Sequence, residues 1–357
     1  MKGLSKYLIF GGTLFILGIF GIYRIMDVRS ERNIGYIEDV VIENKNIENV
    51  KDVEFELVAG GDVMMSRHVG TKIRESGDNA MPFRKIADVF SQADIAFINL
   101  ESPFYDQGDY VTEGMVFKTE PEYIDGLNLA GIDMVSLANN HLRNRGRTGL
   151  QYTFDCLDQN NIKYSGAGNN YSEAHQYKII EVKNLKIAFL SYTYSDGNGF
   201  ISSVEKDDPD VAFMEVGQMS EDVKIAKENA DIVIISMHAG VEYKNYPNDQ
   251  QEEFARAAID SGAELVLGHH PHVVQSTESY NGGYIIYSMG NLVFDQMWSE
   301  ETREGVIAKC KFVNSQVTEI EFVPVKIENF SQPRLATEAE SANILERMEL
   351  ETNKIQI

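Results

Sequence analysis

Short apolar runs rich in Val, Ile and Phe recur along this chain, at about 53–59, 94–98, 132–137, 186–192, 231–236, 263–267 and 284–288. Between several of them the apolar positions repeat with helical period, over Phe83–Gln92, Pro121–Ala130, Thr148–Asn160, Ser220–Asn229 and Gln250–Ser261. Strand-length runs alternating with helical stretches indicate crossover units, hence an α/β fold of layers around a parallel or mixed sheet. Pro121 suits a first helical turn, with Thr119 as its cap. After Gly305 the pattern changes to two strand-like runs, Val306–Phe312 and Val317–Val325, which read as a hairpin, and a polar, helix-prone tail follows from Thr337 to Glu351.

The amino end differs in kind. Lys2 and Lys6 precede an uncharged run from Tyr7 to Tyr23, closed by Arg24. Roughly 17 apolar residues is the lower limit for a helix that spans a bilayer, and an arginine at its end can snorkel. A cleavable signal peptide is the rival reading, but no small-residue cleavage pattern follows. The expectation is a single-pass signal anchor over 7–26, residues 1–6 inside the cell and the bulk of the chain outside. Residues 27–52, charged and Asn/Glu-rich, read as a solvated stalk. Residues 53–300 read as one α/β domain, with 301–357 (hairpin and helical tail) packed on it.

Charge narrows the partners. The chain has 55 acidic against 32 basic residues, a net charge of −23, which argues against nucleic acid as a partner. Its two cysteines, Cys156 in a helical stretch and Cys310 in a strand-like one, read as small core residues; one disulfide is also open to them.

Polar chemistry gathers where the apolar runs end. Five of the seven histidines lie there: His141, His238, His269, His270 and His272. Asp62 follows Gly60-Gly61, Glu101 follows Asn99-Leu100, and Asn139-Asn140-His141 follows Leu137-Ala138. Ligand sites in open α/β sheets form outside the carboxyl ends of the strands, so these ends should share one crevice. The His270-Pro271-His272 pair on a turn suits Zn, Mn or Fe. Glu101 has two oxygens with which to bridge ions, Asn140 offers an amide oxygen, and His141 could act as a general acid. An ordinary turn is the plainer reading of Asn139-Asn140. Glu242 either orients His238 from behind or is a surface residue. Such a set, two carboxylates, one amide and three imidazoles with His269 left aside, reads as a centre for two divalent ions and metal-assisted hydrolysis. No nucleophile elbow, phosphate-binding P-loop or dinucleotide fingerprint is present.

The segments Gly61-Asp62-Val63-Met64, Asn99-Leu100-Glu101, Asn139-Asn140-His141, His238–Tyr243, Gly268–Val273 and Tyr287–Gln296, in this order, resemble the CapA family of bacterial capsule and poly-γ-glutamate biosynthesis proteins. That family is similar in fold to calcineurin-like metallophosphoesterases. The resemblance implies a layered αββα sandwich, Asp62, Glu101, Asn140, His238, His270 and His272 as metal ligands, and His141 as the acid at the leaving group. Two departures from the phosphoesterase pattern stand out: Met64 where it has a histidine, and Leu100-Glu101 where it has Gly-Asp. A third is Asn144, where the family often has an acid.

Arg143 and Arg145 follow His141 in an otherwise acidic chain. They read either as a solvated helix start or as a clamp for an anionic substrate. With Glu242 and Asn291 they complete the substrate-side candidates. Two functions remain open. One is a membrane-anchored, di-metal phosphoesterase-like hydrolase facing an anionic capsule polymer such as poly-γ-glutamate. The other is a non-catalytic metal-binding accessory of a membrane-embedded synthase and export complex.

Overall fold

Apolar side chains at alternate positions of a strand point to opposite faces, so a strand apolar at every position is one covered on both sides. The strand Glu54–Val63 is of this kind from Leu57 to Ala59, after a half-exposed start at Glu54–Glu56. Phe55, Leu57 and Ala59 enter one core and Val58 the other. The computed structural model describes residues 52–194 and 210–357; the anchor and all but the last residue of the stalk read above lie outside them.

Two sheets lie face to face. In the first, the order is Gln332–Leu335, Gln316–Glu328, Glu304–Val313, Glu54–Val63, Ile95–Leu100, Met134–Ser136 and Lys163–Ser165. Its central strand runs parallel to Ile95–Leu100 and antiparallel to Glu304–Val313. The second has the order Thr277–Tyr280, Gly283–Ile286, Leu265–His269, Ile232–His238, Leu185–Thr193 and Lys178–Val182. The core between the sheets joins Leu57 and Phe97 of the first to Phe189, Ile234 and Leu267 of the second. The first sheet's outer face is covered by helices Arg67–Ser76, Ile124–Ala130 and Gly146–Gln159, the second's by Val216–Lys227 and Asp249–Ser261. The layers are therefore helix, sheet, sheet, helix. Among the described residues no helix is long and apolar enough to cross a membrane.

Local differences from the sequence pattern have physical causes. Phe83–Gln92 is two short turns, Met81–Phe83 and Ala87–Ser91, because burying Phe83, Ile86 and Phe90 is satisfied without one continuous helix. Thr119 caps nothing: Glu120 is the boundary residue, and the Thr119 hydroxyl bonds that of Ser102 at 2.6 Å. Helix Arg67–Ser76 gives little apolar signal, burying only Val69, Gly70 and Ile73. The two cysteines are free and buried in different cores.

Candidate metal centre

Register brings the strand ends together. Asp62 stands opposite Asn99 on one side and Asn291 on the other, and His238 opposite His269. Two glycines make the approach close enough. A Cβ on Gly61 would meet the Gly290 carbonyl oxygen at 2.0 Å, and one on Gly268 the Tyr287 carbonyl oxygen at 2.0 Å. Beyond the strand Leu265–His269, His270 and His272 both take left-handed backbone, φ 97° and 58°, on either side of Pro271. Such conformations in residues with side chains persist where the surroundings impose them, and they cluster at functional sites.

Three overlapping groups of donors result. Asp62, Glu101 and His272 have ligand atoms within 4.8 Å of one another; so do Glu101, His238 and His270, and likewise Glu242, His270 and His272. Glu101 belongs to two of them. Its Oε1 is 3.9 Å from His238 Nε2 and 3.8 Å from His272 Nε2. Asn140 Oδ1 joins the second group, 3.0 Å from His238 Nε2.

Neighbours aim these side chains. Asn291 Oδ1 accepts from His272 Nδ1 at 3.0 Å, which leaves Nε2 turned to Glu101. Asn99 Nδ2 donates to Asp62 Oδ1 at 2.8 Å and lies 3.2 Å from His238 Nδ1. Asn139 in turn donates to Asn99 Oδ1 at 3.2 Å and to the Leu100 carbonyl at 2.9 Å. Asn99 and Asn139, which stand at strand ends in the sequence without an assigned role, are thus positioning residues. His269 is fully buried behind the centre, its Nδ1 3.4 Å from Asp62 Oδ1.

The remaining candidates divide. His141 stacks on Phe117 with ring centres 3.9 Å apart, and its Nδ1 meets Asn144 Oδ1 at 3.0 Å. Burial pushes its pKa down to about 4, so the ring is neutral near pH 7. Asn291 is wholly buried behind His272 rather than on an open face. Arg143 pairs with Asp210 at 3.1 Å, and Arg145 donates to the carbonyls of Phe117 and Val116 at 3.1 and 3.2 Å. Both guanidinium groups are engaged within the chain. Glu242 is half-buried, and its carboxylate lies with the ring nitrogens of His270 and His272 rather than behind His238. Arg67 had no signal in the sequence. Its guanidinium pairs with Asp295, packs over Phe117 at 4.7 Å, and its charge is felt at Glu101 and His141.

The electrostatics fit a cation. Glu101 is fully buried, and neither of its oxygens has a hydrogen-bond partner. Burial, then the charges of Asp62 and Glu242, push its pKa well above the ordinary carboxylate range. Asp62 is equally buried, which alone would raise its pKa, yet His269 and His272 hold it well below. Burial, then His270, pushes His238 far down, and burial, then His272, takes His270 to about 3. Neutral imidazoles and an unpartnered carboxylate are the forms that bind metal, and His270 Nδ1 also lacks a partner. A buried carboxylate left so is costly unless a cation faces it.

Residues 56–296 match the family model described as bacterial capsule synthesis protein PGA_cap. The capsule biosynthesis protein CapA of Bacillus anthracis is 29% identical over 303 residues, covering 82% of this chain and 72% of that protein. The PGA biosynthesis protein CapA of Bacillus subtilis is 33% identical over 270 residues, covering 75% and 70%. Among solved structures, the calcineurin-like phosphoesterase YfkN of Bacillus subtilis aligns with a TM-score of 0.50 and 14% identity over 84% of this chain and 97% of that one, a likeness of fold. By the extent of the family match, which takes in every strand end that supplies a donor, the chain belongs to the bacterial capsule synthesis PGA_cap family.

Proposed function

We propose that this chain is a membrane-anchored accessory of capsule or poly-γ-glutamate biosynthesis, with a di-metal, phosphoesterase-like centre on the outer face of the cell. The observation that carries the chemistry is the buried, unpartnered carboxylate of Glu101, shared between two donor groups. The capsule role is supported by the names of the two Bacillus relatives. On this reading Asp62, Glu101 and His272 hold one ion, and Glu101, Asn140, His238 and His270 the other. Mn, Zn or Fe suits such mixed oxygen and nitrogen donors. Bound there, divalent ions would supply a lowered pKa for water and a clamp on a phosphoryl oxygen.

The chain's own groups do the rest. Asn99 and Asn291 fix the orientation of His238 and His272. On this reading His141, held by Asn144 beside Asn140, would hand a proton to the leaving oxygen only after taking one up from water, since its ring is neutral near pH 7. Arg67 keeps a positive charge near Glu101 and His141. The polymer reaches this surface from synthase and export subunits in the membrane.

One observation favours the second reading, a metal-binding accessory without turnover. Met64, where the phosphoesterase pattern has a histidine, is fully buried, and its sulfur accepts from the Ser66 amide at 3.1 Å. The first ion would then lack one imidazole. Bound metal and hydrolysis of an aryl phosphate, measured on the full chain and on Asp62→Ala and His238→Ala, separate the two. Turnover lost in both variants supports the hydrolase. Metal present without turnover in the parent supports the accessory.

A further inference from the structure

A cavity of about 420 Å³ opens beside the centre, lined by Arg67, His68, Glu113, Asp295, Trp298 and Phe330. Two of its walls run back to candidate catalytic groups. Trp298 meets Tyr243 edge-on at 5.7 Å, and the Tyr243 ring lies 6.2 Å from that of His272. On the other side the Arg67 guanidinium lies over Phe117, which stacks on His141.

The lining combines aromatic faces with carboxylates. Trp298, the chain's one tryptophan, is 63% exposed. Phe330 is 37% exposed and stacks on His68 at 5.1 Å. Its backbone is left-handed, φ 67°, directly after Asn329 at 52°. Glycine or asparagine is the ordinary residue in such a turn, and a bulky side chain there is strained. The turn and the stacking on His68 set the Phe330 ring at the cavity. Asp295 faces Arg67 and lies 3.2 Å from His68 Nδ1, and Glu113 adds a second carboxylate.

This chemistry discriminates between ligands. A polyanion would meet two carboxylates and a single guanidinium already paired with one of them, on a chain of net charge −23. A neutral hydroxylated ring would lay its C–H face on Trp298 or Phe330 and give its hydroxyls to the exposed Glu113 carboxylate and to His68 Nε2, while Asp295, engaged by Arg67 and His68, holds that wall.

We propose that this cavity is a subsite for a sugar ring of a neutral glycan, placed next to the metal centre. It adds a substrate class to that centre and rests on the preceding reading only for its use there. The test is the emission of the single tryptophan in the full chain, titrated separately with a glucose tetramer, an N-acetylglucosamine tetramer and a γ-linked glutamate oligomer. The expected result is a saturable shift with at least one sugar tetramer, weakened tenfold or more by Phe330→Gly and by His68→Ala. Two substitutions are used because Phe330→Gly also relaxes the turn. The same shift should persist in EDTA, so that failure of the metal reading leaves this result intact. No saturable change with either sugar, or a change with the glutamate oligomer alone, would overturn the proposal.

Discussion

His238 Nε2 and Glu101 Oε1 stand 3.9 Å apart, both wholly buried, beyond hydrogen-bond range. Two donors each about 2.1 Å from one ion can be separated by up to about 4 Å, so the spacing suits a shared cation better than a direct contact. Glu101→Gln keeps the shape and removes the charge. Metal content of the purified protein, measured by plasma mass spectrometry, should fall by at least half. In EDTA the stability of the variant relative to the parent should increase as pH rises, because the empty site favours a neutral group at this position and the parent's carboxyl is driven to ionise. An unchanged metal content would count against Glu101 as a ligand.

Asn291 provides a second test, since it touches His272 from the side away from Glu101. Asn291→Ala should weaken metal binding about 10–100-fold, the usual effect of losing the group that orients a ligating imidazole. Competition with a fluorescent chelator reads this directly. Its amide also donates to the His272 and Thr302 carbonyls at 3.3 and 2.9 Å, so Asn291→Asp should restore part of the affinity by keeping the acceptor.

The tail helix Glu338–Arg347 should respond to acid. Glu340 accepts two bonds from Arg334, at 2.7 and 2.9 Å, and closes the capping box with Thr337. Arg334 first, then the Thr337 amide, holds its carboxyl well below the ordinary range. A depressed folded-state pKa means stability that is present above the unfolded value, about 4.5, and lost as pH falls toward the folded one. Glu340→Gln should therefore lower Tm at pH 7, and the difference from the parent should shrink below pH 4. A difference that grows on acidification would contradict the pairing.

The thiols make a simpler prediction. Burial raises the pKa of Cys156 to about 11 and pushes Cys310 higher still. Both should resist alkylation at pH 8 in the native protein and react within minutes in denaturant, since the thiolate is the reactive form. Rapid native modification of Cys310 would mean that the core between the sheets opens.

Much of the layered architecture is legible in the sequence because strands covered on both faces write long apolar runs. Ile232–Ser236 and Ala263–Leu267 are such runs, and the polar residues that follow them stand out by contrast. The convergence of Asp62, Glu101, Asn140, His238, His270 and His272 follows from one rule about strand ends. What escapes is whatever depends on pairs distant in the chain. Arg67 opens a short, mostly polar helix, and only the fold sets it against Phe117 and Asp295. Asn291 has the chemistry of a substrate contact in the sequence, and only the pairing with Asp62 turns it behind His272. Arg143 and Arg145 look like free cations until Asp210 and the 116–117 carbonyls are placed beside them.

The antiparallel neighbour of the strand Glu54–Val63 comes from near the other end of the chain, with residue 54 opposite residue 313. During synthesis or export from the amino end, that strand keeps one backbone edge unpaired until residues 308–313 have emerged. Pairings so distant form slowly, and an open edge of this kind invites association with other chains. A truncation that removes the hairpin Glu304–Val313 and Gln316–Glu328 would thus expose the strand bearing Asp62 and send the product into aggregates, although every residue assigned to the ions would still be encoded.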